Sequence, residues 1–67
     1  MSKARITPRR IQILKLINEG YDNMQIVHKM DMSLSNVKFQ ISRAINYFGV
    51  RTRYEAVEAA KKKGYII

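Results

Sequence analysis

The stretch that decides the fold runs from Asp22 to Phe48 and reads DNMQIVHKMDMSLSNVKFQISRAINYF. It opens with Asp22 and, three residues later, Gln25. This spacing is that of a capping box, in which each side chain bonds the other residue's backbone N–H and starts a helix. The helix is short, because its apolar pattern ends near Met30 and a turn follows at 31–33.

A longer helix is predicted over 35–48, with Ser33 as its N-cap. Its apolar residues recur with a helical period and form one stripe: Val37, Ile41, Ala44, Ile45 and Phe48. At about 100° per residue, the opposite face is centred on Phe39. The polar and basic residues Lys38, Ser42 and Arg43 flank it. We therefore expect the stripe to face the core and the Phe39 face to be available to a partner.

Two further helices flank this pair. The first starts at Thr7 and Pro8, since threonine caps a helix and proline suits its first position. The last starts at Thr52, which forms a second capping box with Glu55. No segment shows the alternation typical of strands, apart from the last three residues. The sequence therefore predicts an all-α, four-helix domain.

With only 67 residues, the chain has room for one small domain, predicted over 7–67 after a flexible basic arm at 1–6. The absence of cysteine excludes disulfides and thiolate metal sites. A single histidine, no glycine-rich phosphate loop, and acids that fall at caps and turns give no catalytic constellation. We expect no enzyme activity, metal, cofactor or small-molecule ligand.

The charge is strongly positive and clustered. Thirteen Lys and Arg against five Asp and Glu give a formal net charge of +8 and a pI of about 10.2. The basic residues concentrate in 1–10 and in 33–54, and neither segment contains an acid. Clustering of this kind is typical of proteins that bind the phosphate backbone of nucleic acids. An anionic membrane surface and an acidic protein are weaker alternatives.

A short capped helix, a tight turn and a longer helix with a polar, basic outer face describe a helix-turn-helix. The major groove of DNA is about 12 Å wide and admits one helix. Double-stranded DNA is therefore the partner that the pattern favours.

The same residues resemble a known family. The motifs are Thr7-Pro8-Arg9, Glu19-Gly20-Tyr21, Val37-Lys38, Gly49-Val50 and Arg53 followed by Glu55-Ala56-Val57. In combination they look like the LuxR-type DNA-binding domain, closest to the stand-alone form typified by the GerE regulator. The resemblance covers residues 6–67. It implies a tetrahelical domain whose third helix enters the major groove and whose fourth helix pairs two copies.

Site residues follow from the resemblance and from the helix geometry together. The resemblance implies base contacts at Lys38, Phe39 and Ser42, and the outer face adds Arg43. It also implies phosphate contacts at Ser35, Asn36, Arg51 and Arg53. Arg9 and Arg10 join the phosphate set because cations at a helix N-terminus oppose its dipole, which suggests a function. A small-residue face on the fourth helix predicts the dimer interface: Ala56, Val57, Ala59, Ala60 and Lys63.

Three positions depart from the family pattern. Arg10 stands where the family usually has Glu, which removes a capping box from the first helix. Ser42 replaces a frequent Lys or Arg, and Phe39 is bulky for its position. Phe39 could contact a thymine methyl or a protein surface, and Tyr54 is expected to pack at the edge of the core.

We therefore expect the protein to be a transcriptional regulator that binds specific duplex sequences as a homodimer. We expect it to be cytoplasmic, nucleoid-associated when bound to DNA, and without a membrane segment. The alternative is an interaction module that binds another LuxR-type regulator or RNA polymerase, as region four of sigma factors does. The steep salt dependence of DNA binding separates the two.

Overall fold

The computed structural model describes residues 6–67, which form four helices and no strand. They are α1 (Pro8–Asn18), α2 (Asn23–Met30), α3 (Leu34–Phe48) and α4 (Arg53–Lys62). The all-α, four-helix prediction is confirmed.

Most of the predicted arm, residues 1–5, lies outside the described residues. Its last residue, Ile6, is half-buried and packs against the core. Ile6 therefore belongs to the packed domain, which corrects the predicted boundary after residue 6.

Side-chain caps fix where the helices begin. Asp22 Oδ1 accepts from the Gln25 backbone N–H at 2.8 Å, and Gln25 Oε1 accepts from that of Asp22 at 2.8 Å. Thr52 and Glu55 form the second capping box. Ser33 Oγ accepts from the Asn36 backbone N–H at 3.1 Å. Since Ser33 is the cap, α3 begins at Leu34, one residue earlier than predicted.

The turn between α2 and α3 depends on Asp31, the only non-glycine residue at positive φ among residues 6–67 (φ 54°). This left-handed conformation ends α2 and brings the chain to Ser33 within three residues. Aspartate tolerates it better than most side chains, since its short polar group can bond locally. The tight turn sets α3 directly after α2, as a helix-turn-helix requires.

The core is assembled on α1, which packs against both α3 and α4. Four α1 residues are buried: Ile13, Leu14, Leu16 and Ile17. From α3, Val37, Ile41 and Ala44 point inward, and Ile66 folds back onto the core after α4. No polar or charged residue among 6–67 is buried. The stripe of α3 therefore faces the interior, as predicted.

Small residues on α4 belong to this core. Ala56, Val57 and Ala60 are buried, whereas Ala59 is half-buried and Lys63 is exposed. The assignment of Ala56, Val57 and Ala60 to a dimer interface was wrong. Their small side chains let another helix come close, but the helices that pack against them are α1 and α3 of the same chain rather than α4 of a second copy.

No helix among residues 6–67 combines the length and the apolar character needed to span a bilayer.

We predict that Ala60→Leu lowers the free energy of unfolding by about 1–3 kcal/mol, because the larger leucine side chain would overpack the core around the fully buried Ala60. Ala59→Leu, on the outer side of the same helix, should change it by less than about 0.5 kcal/mol. Urea denaturation measures both. Equal effects of the two substitutions would contradict the inward orientation of Ala60.

Candidate nucleic-acid interface

The outer face of α3 is exposed along its length. Lys38, Phe39, Ser42 and Arg43 are all exposed, and Ser35 extends the face toward the turn. Because Val37, Ile41 and Ala44 hold the opposite side against the core, this face points away from the domain. The structure thus brings together the four residues predicted to contact bases.

Phe39 has 54% of its surface exposed, so its ring is accessible from solvent. The Arg43 guanidinium carbon lies 5.8 Å from the centroid of the Phe39 ring. At this distance a cation is attracted to the ring face. The contact holds a planar hydrogen-bond donor beside an apolar surface at the middle of α3.

The face carries positive charge without acidic neighbours on its own helix. No Asp or Glu occurs in α3. The one ion pair found within residues 6–67 joins Lys61 and Glu58, both on α4, and its Nζ and Oε2 atoms are 3.4 Å apart. Lys38 and Arg43 are therefore in no ion pair with a carboxylate among these residues, and a polyanion can approach both side chains.

Two predicted phosphate contacts meet at one edge of this face. Arg10 Nε donates to Gln40 Oε1 at 2.9 Å, and Gln40 Nε2 donates to Asn36 Oδ1 at 3.3 Å. The sequence reasoning missed Gln40. Its spacing of four from Asn36 signals a helical side-chain pair, but nothing local signals a partner 30 residues away.

The other predicted phosphate contacts are dispersed. Arg9 and Arg51 are exposed. Arg53 is half-buried, and its Nη1 donates to Asn23 Oδ1, which ties the start of α4 to the start of α2. This internal bond was also missed. It gives Arg53 a structural role beside its predicted contact with phosphate.

A second exposed surface lies on the outer side of α4. Tyr54 is 69% exposed, so the expectation that it packs at the core edge was wrong. It borders a shallow, mainly apolar depression of about 370 Å³ that Val50, Ala59 and Lys62 also line. This surface is the part of α4 that a second chain can reach.

Within residues 6–67, no three His, Asp or Glu side chains converge into a group that could bind a metal. Two of the acids serve backbone groups instead: Asp22 caps α2, and Glu55 Oε1 accepts from the Arg51 and Thr52 N–H groups. The arrangement of α3 offers hydrogen-bond donors and positive charge on the exposed face of the helix.

The chain is similar to known regulators over most of its length. Residues 4–60 match the model of the family described as bacterial regulatory proteins, luxR family. The HTH-type transcriptional regulator MalT of Yersinia pestis is 37% identical over 57 residues, which are 85% of this chain. AlkS of Pseudomonas putida, also an HTH-type transcriptional regulator, is 30% identical over 61 residues, or 91% of the chain.

These relatives are far longer, and the matched residues span 6% of MalT and 7% of AlkS. Among solved structures, the response regulator ChrA of a heme-sensing two-component system has a TM-score of 0.91 at 27% identity. The match covers 98% of this chain and 33% of ChrA. The chain thus belongs to the luxR family of bacterial regulatory proteins, and its four helices form a LuxR-type helix-turn-helix DNA-binding domain.

Proposed function

We propose that the protein is a transcriptional regulator that binds specific sequences of double-stranded DNA by laying α3 in the major groove. One observation carries the proposal: Lys38, Phe39, Ser42 and Arg43 share an exposed, acid-free face of the helix that follows the tight turn. Membership of the luxR family supports it independently.

The chemistry of the face suits base edges. Lys38 and Arg43 can donate to the O6 and N7 acceptors of guanine, and Ser42 can donate or accept. Phe39 offers an apolar surface for a thymine methyl. Because Arg43 lies against the Phe39 ring, the two side chains present a donor and an apolar contact together.

Phosphate contacts position the helix in this proposal, and they come from one edge of the face and from residues elsewhere on the domain. The candidates are Ser35, Asn36, Arg9, Arg10, Arg51 and Arg53. Such contacts fix the register of a protein on the duplex without reading its sequence. The net charge of +8 supports binding to a polyanion at low salt.

A homodimer that pairs through α4 completes the proposal. Since Ala56, Val57 and Ala60 are buried, the pairing surface is the outer side of α4, with Tyr54 and Ala59, and the exposed Lys63 follows at the end of the helix. An exposed tyrosine beside an apolar depression is the kind of surface that interfaces cover. Two copies would place their α3 helices on half-sites about one DNA turn apart.

Tyr54 also favours the second candidate function, an interaction module that binds another LuxR-type regulator or RNA polymerase. Such a module would use the apolar α4 surface and Phe39 rather than phosphate contacts. The cytoplasm, with the nucleoid as the bound location, is the proposed site of action for either function.

Selection of bound sequences from random duplex DNA at a fixed salt concentration tests the proposal. A palindromic consensus with affinity that falls steeply with salt is the expected result. Failure to enrich any sequence, together with salt-insensitive binding to a partner regulator, would favour the interaction module.

We predict that Lys38→Ala weakens binding to the selected duplex by about 1–3 kcal/mol and relaxes preference at one base position, because a base-edge contact is lost. Fluorescence anisotropy against duplexes substituted at single positions measures both. Lys15→Ala, an exposed lysine of α1, is the matched control and should change neither quantity. Unchanged affinity and preference for Lys38→Ala would show that α3 does not contact the bases.

We predict that Tyr54→Ala weakens binding to a palindromic duplex while leaving binding to a single half-site unchanged, because only pairing of the two copies is impaired. Titration of both duplexes, with sedimentation of the complexes, measures this difference. A palindrome bound by two Tyr54→Ala copies with the cooperativity of the unaltered chain would contradict pairing through the outer side of α4.

A further inference from the structure

We propose that Gln40 is a positioning residue that holds Arg10 against one edge of α3, where the guanidinium binds a phosphate of the duplex. The inference rests on the proposed function and deepens it. It adds Gln40 to the DNA-binding machinery in a role other than contact with a base. The observations that carry it are the Arg10–Gln40–Asn36 hydrogen bonds.

The direction of these bonds matters. Arg10 Nε donates to the side-chain oxygen Oε1 of Gln40. The side-chain nitrogen Nε2 of Gln40 donates in turn to the side-chain oxygen Oδ1 of Asn36. The acceptor of each bond is a side-chain oxygen of the protein itself. The Asn36 amide nitrogen and the remaining guanidinium N–H groups of Arg10 are therefore left as donors at the two ends. Phosphate oxygens only accept hydrogen bonds, so both ends of the network suit a phosphate backbone.

The same bonds orient Gln40 toward other residues of the domain rather than toward a base. Glutamine on a helix in the major groove commonly bonds adenine through its carbonyl oxygen and amide nitrogen at once. Here the carbonyl oxygen is bonded to Arg10 and the amide nitrogen to Asn36, and the side chain is half-buried. Its amide serves α1 and α3 rather than solvent.

The placement of Arg10 is unfavourable for α1 alone. Arg10 is the third residue of α1, and the first turn contains no acid. A cation there opposes the helix dipole. Thr7 Oγ1 accepts from the Arg10 backbone N–H at 3.2 Å. The Arg10 side chain has no acceptor for the Thr7 backbone N–H, so the second bond of a capping box is missing. A residue that disfavours its own helix is evidence of a role elsewhere.

The geometry of α3 puts this cation on the flank opposite Lys38. At about 100° per residue, Gln40 lies about 100° from Phe39 on one side and Lys38 about 100° on the other. Arg10, held by Gln40, and Lys38 thus bracket the Phe39 face. A helix in the major groove has a phosphate backbone on either side, and this face would then have a cation toward each.

The test measures the affinity of the full chain for its selected duplex over a series of KCl concentrations. It compares Arg10→Gln, Gln40→Met and the double variant with the unaltered chain. Methionine matches the length of glutamine without its hydrogen bonds. Lys15→Gln is the matched control, because Lys15 is an exposed cation of α1 that the proposed function does not place against the duplex. Thermal melting of every variant reports on the fold.

We expect Arg10→Gln to weaken binding roughly three- to tenfold and to reduce the slope of log K against log salt by about 0.9, the loss of one phosphate contact. Gln40→Met should weaken binding and reduce the slope in the same direction while Arg10 keeps its charge. The double variant should bind no more weakly than Arg10→Gln, because the two residues act as a unit. Arg10→Gln should change the melting temperature little, since relief of the helix dipole offsets the loss of one hydrogen bond to α3.

A slope unchanged by both Arg10→Gln and Gln40→Met would overturn the inference, even with lower melting temperatures, because the hydrogen bonds would then only brace α1 on α3. Additive losses in the double variant would overturn the coupling. If Lys38→Ala still weakens binding in that experiment, the proposed function stands without this inference. If the unaltered chain binds no duplex, both fail.

Discussion

Burial of the apolar stripe of α3 against α1 is the interaction on which the rest of the structure depends. Val37, Ile41 and Ala44 are held inside the domain, in one core with the four buried apolar residues of α1. Because a helix has only one opposite side, this packing determines which residues are presented to solvent. A chain of 67 residues buries a small core, so the orientation of α3 and the stability of the domain have the same origin.

Polar contacts between distant segments refine that orientation. The bond from Arg10 to Gln40 ties α1 to α3, and the bond from Arg53 to Asn23 ties α4 to α2. Both use arginines that were predicted to contact phosphate, Arg53 from the family resemblance and Arg10 from its position in the first turn of α1. An arginine has several N–H donors, so one guanidinium can bond a neighbouring helix and still attract a polyanion. Positive charge on this domain therefore contributes to its architecture as well as to its electrostatic field.

Local chemistry explains how much of this could be predicted from the sequence. Capping residues bond their own helix, so Thr7, Asp22, Ser33 and Thr52 marked each helix start to within one residue. Periodicity shows which residues share a face, but not what covers it. The small-residue face of α4 was therefore predicted to contact a second copy of the chain, although α1 and α3 of the same chain cover it. Gln40 and Asn23 bond partners 30 residues away, and no local pattern carries that information.

Amide chemical shifts of the full chain, followed while duplex DNA is added, test most directly whether α3 contacts DNA. The account predicts that the largest changes fall on α3 around Lys38, Phe39, Ser42 and Arg43, with smaller ones near Arg10. Changes confined to the Tyr54 side of α4, with α3 unperturbed at saturation, would contradict it.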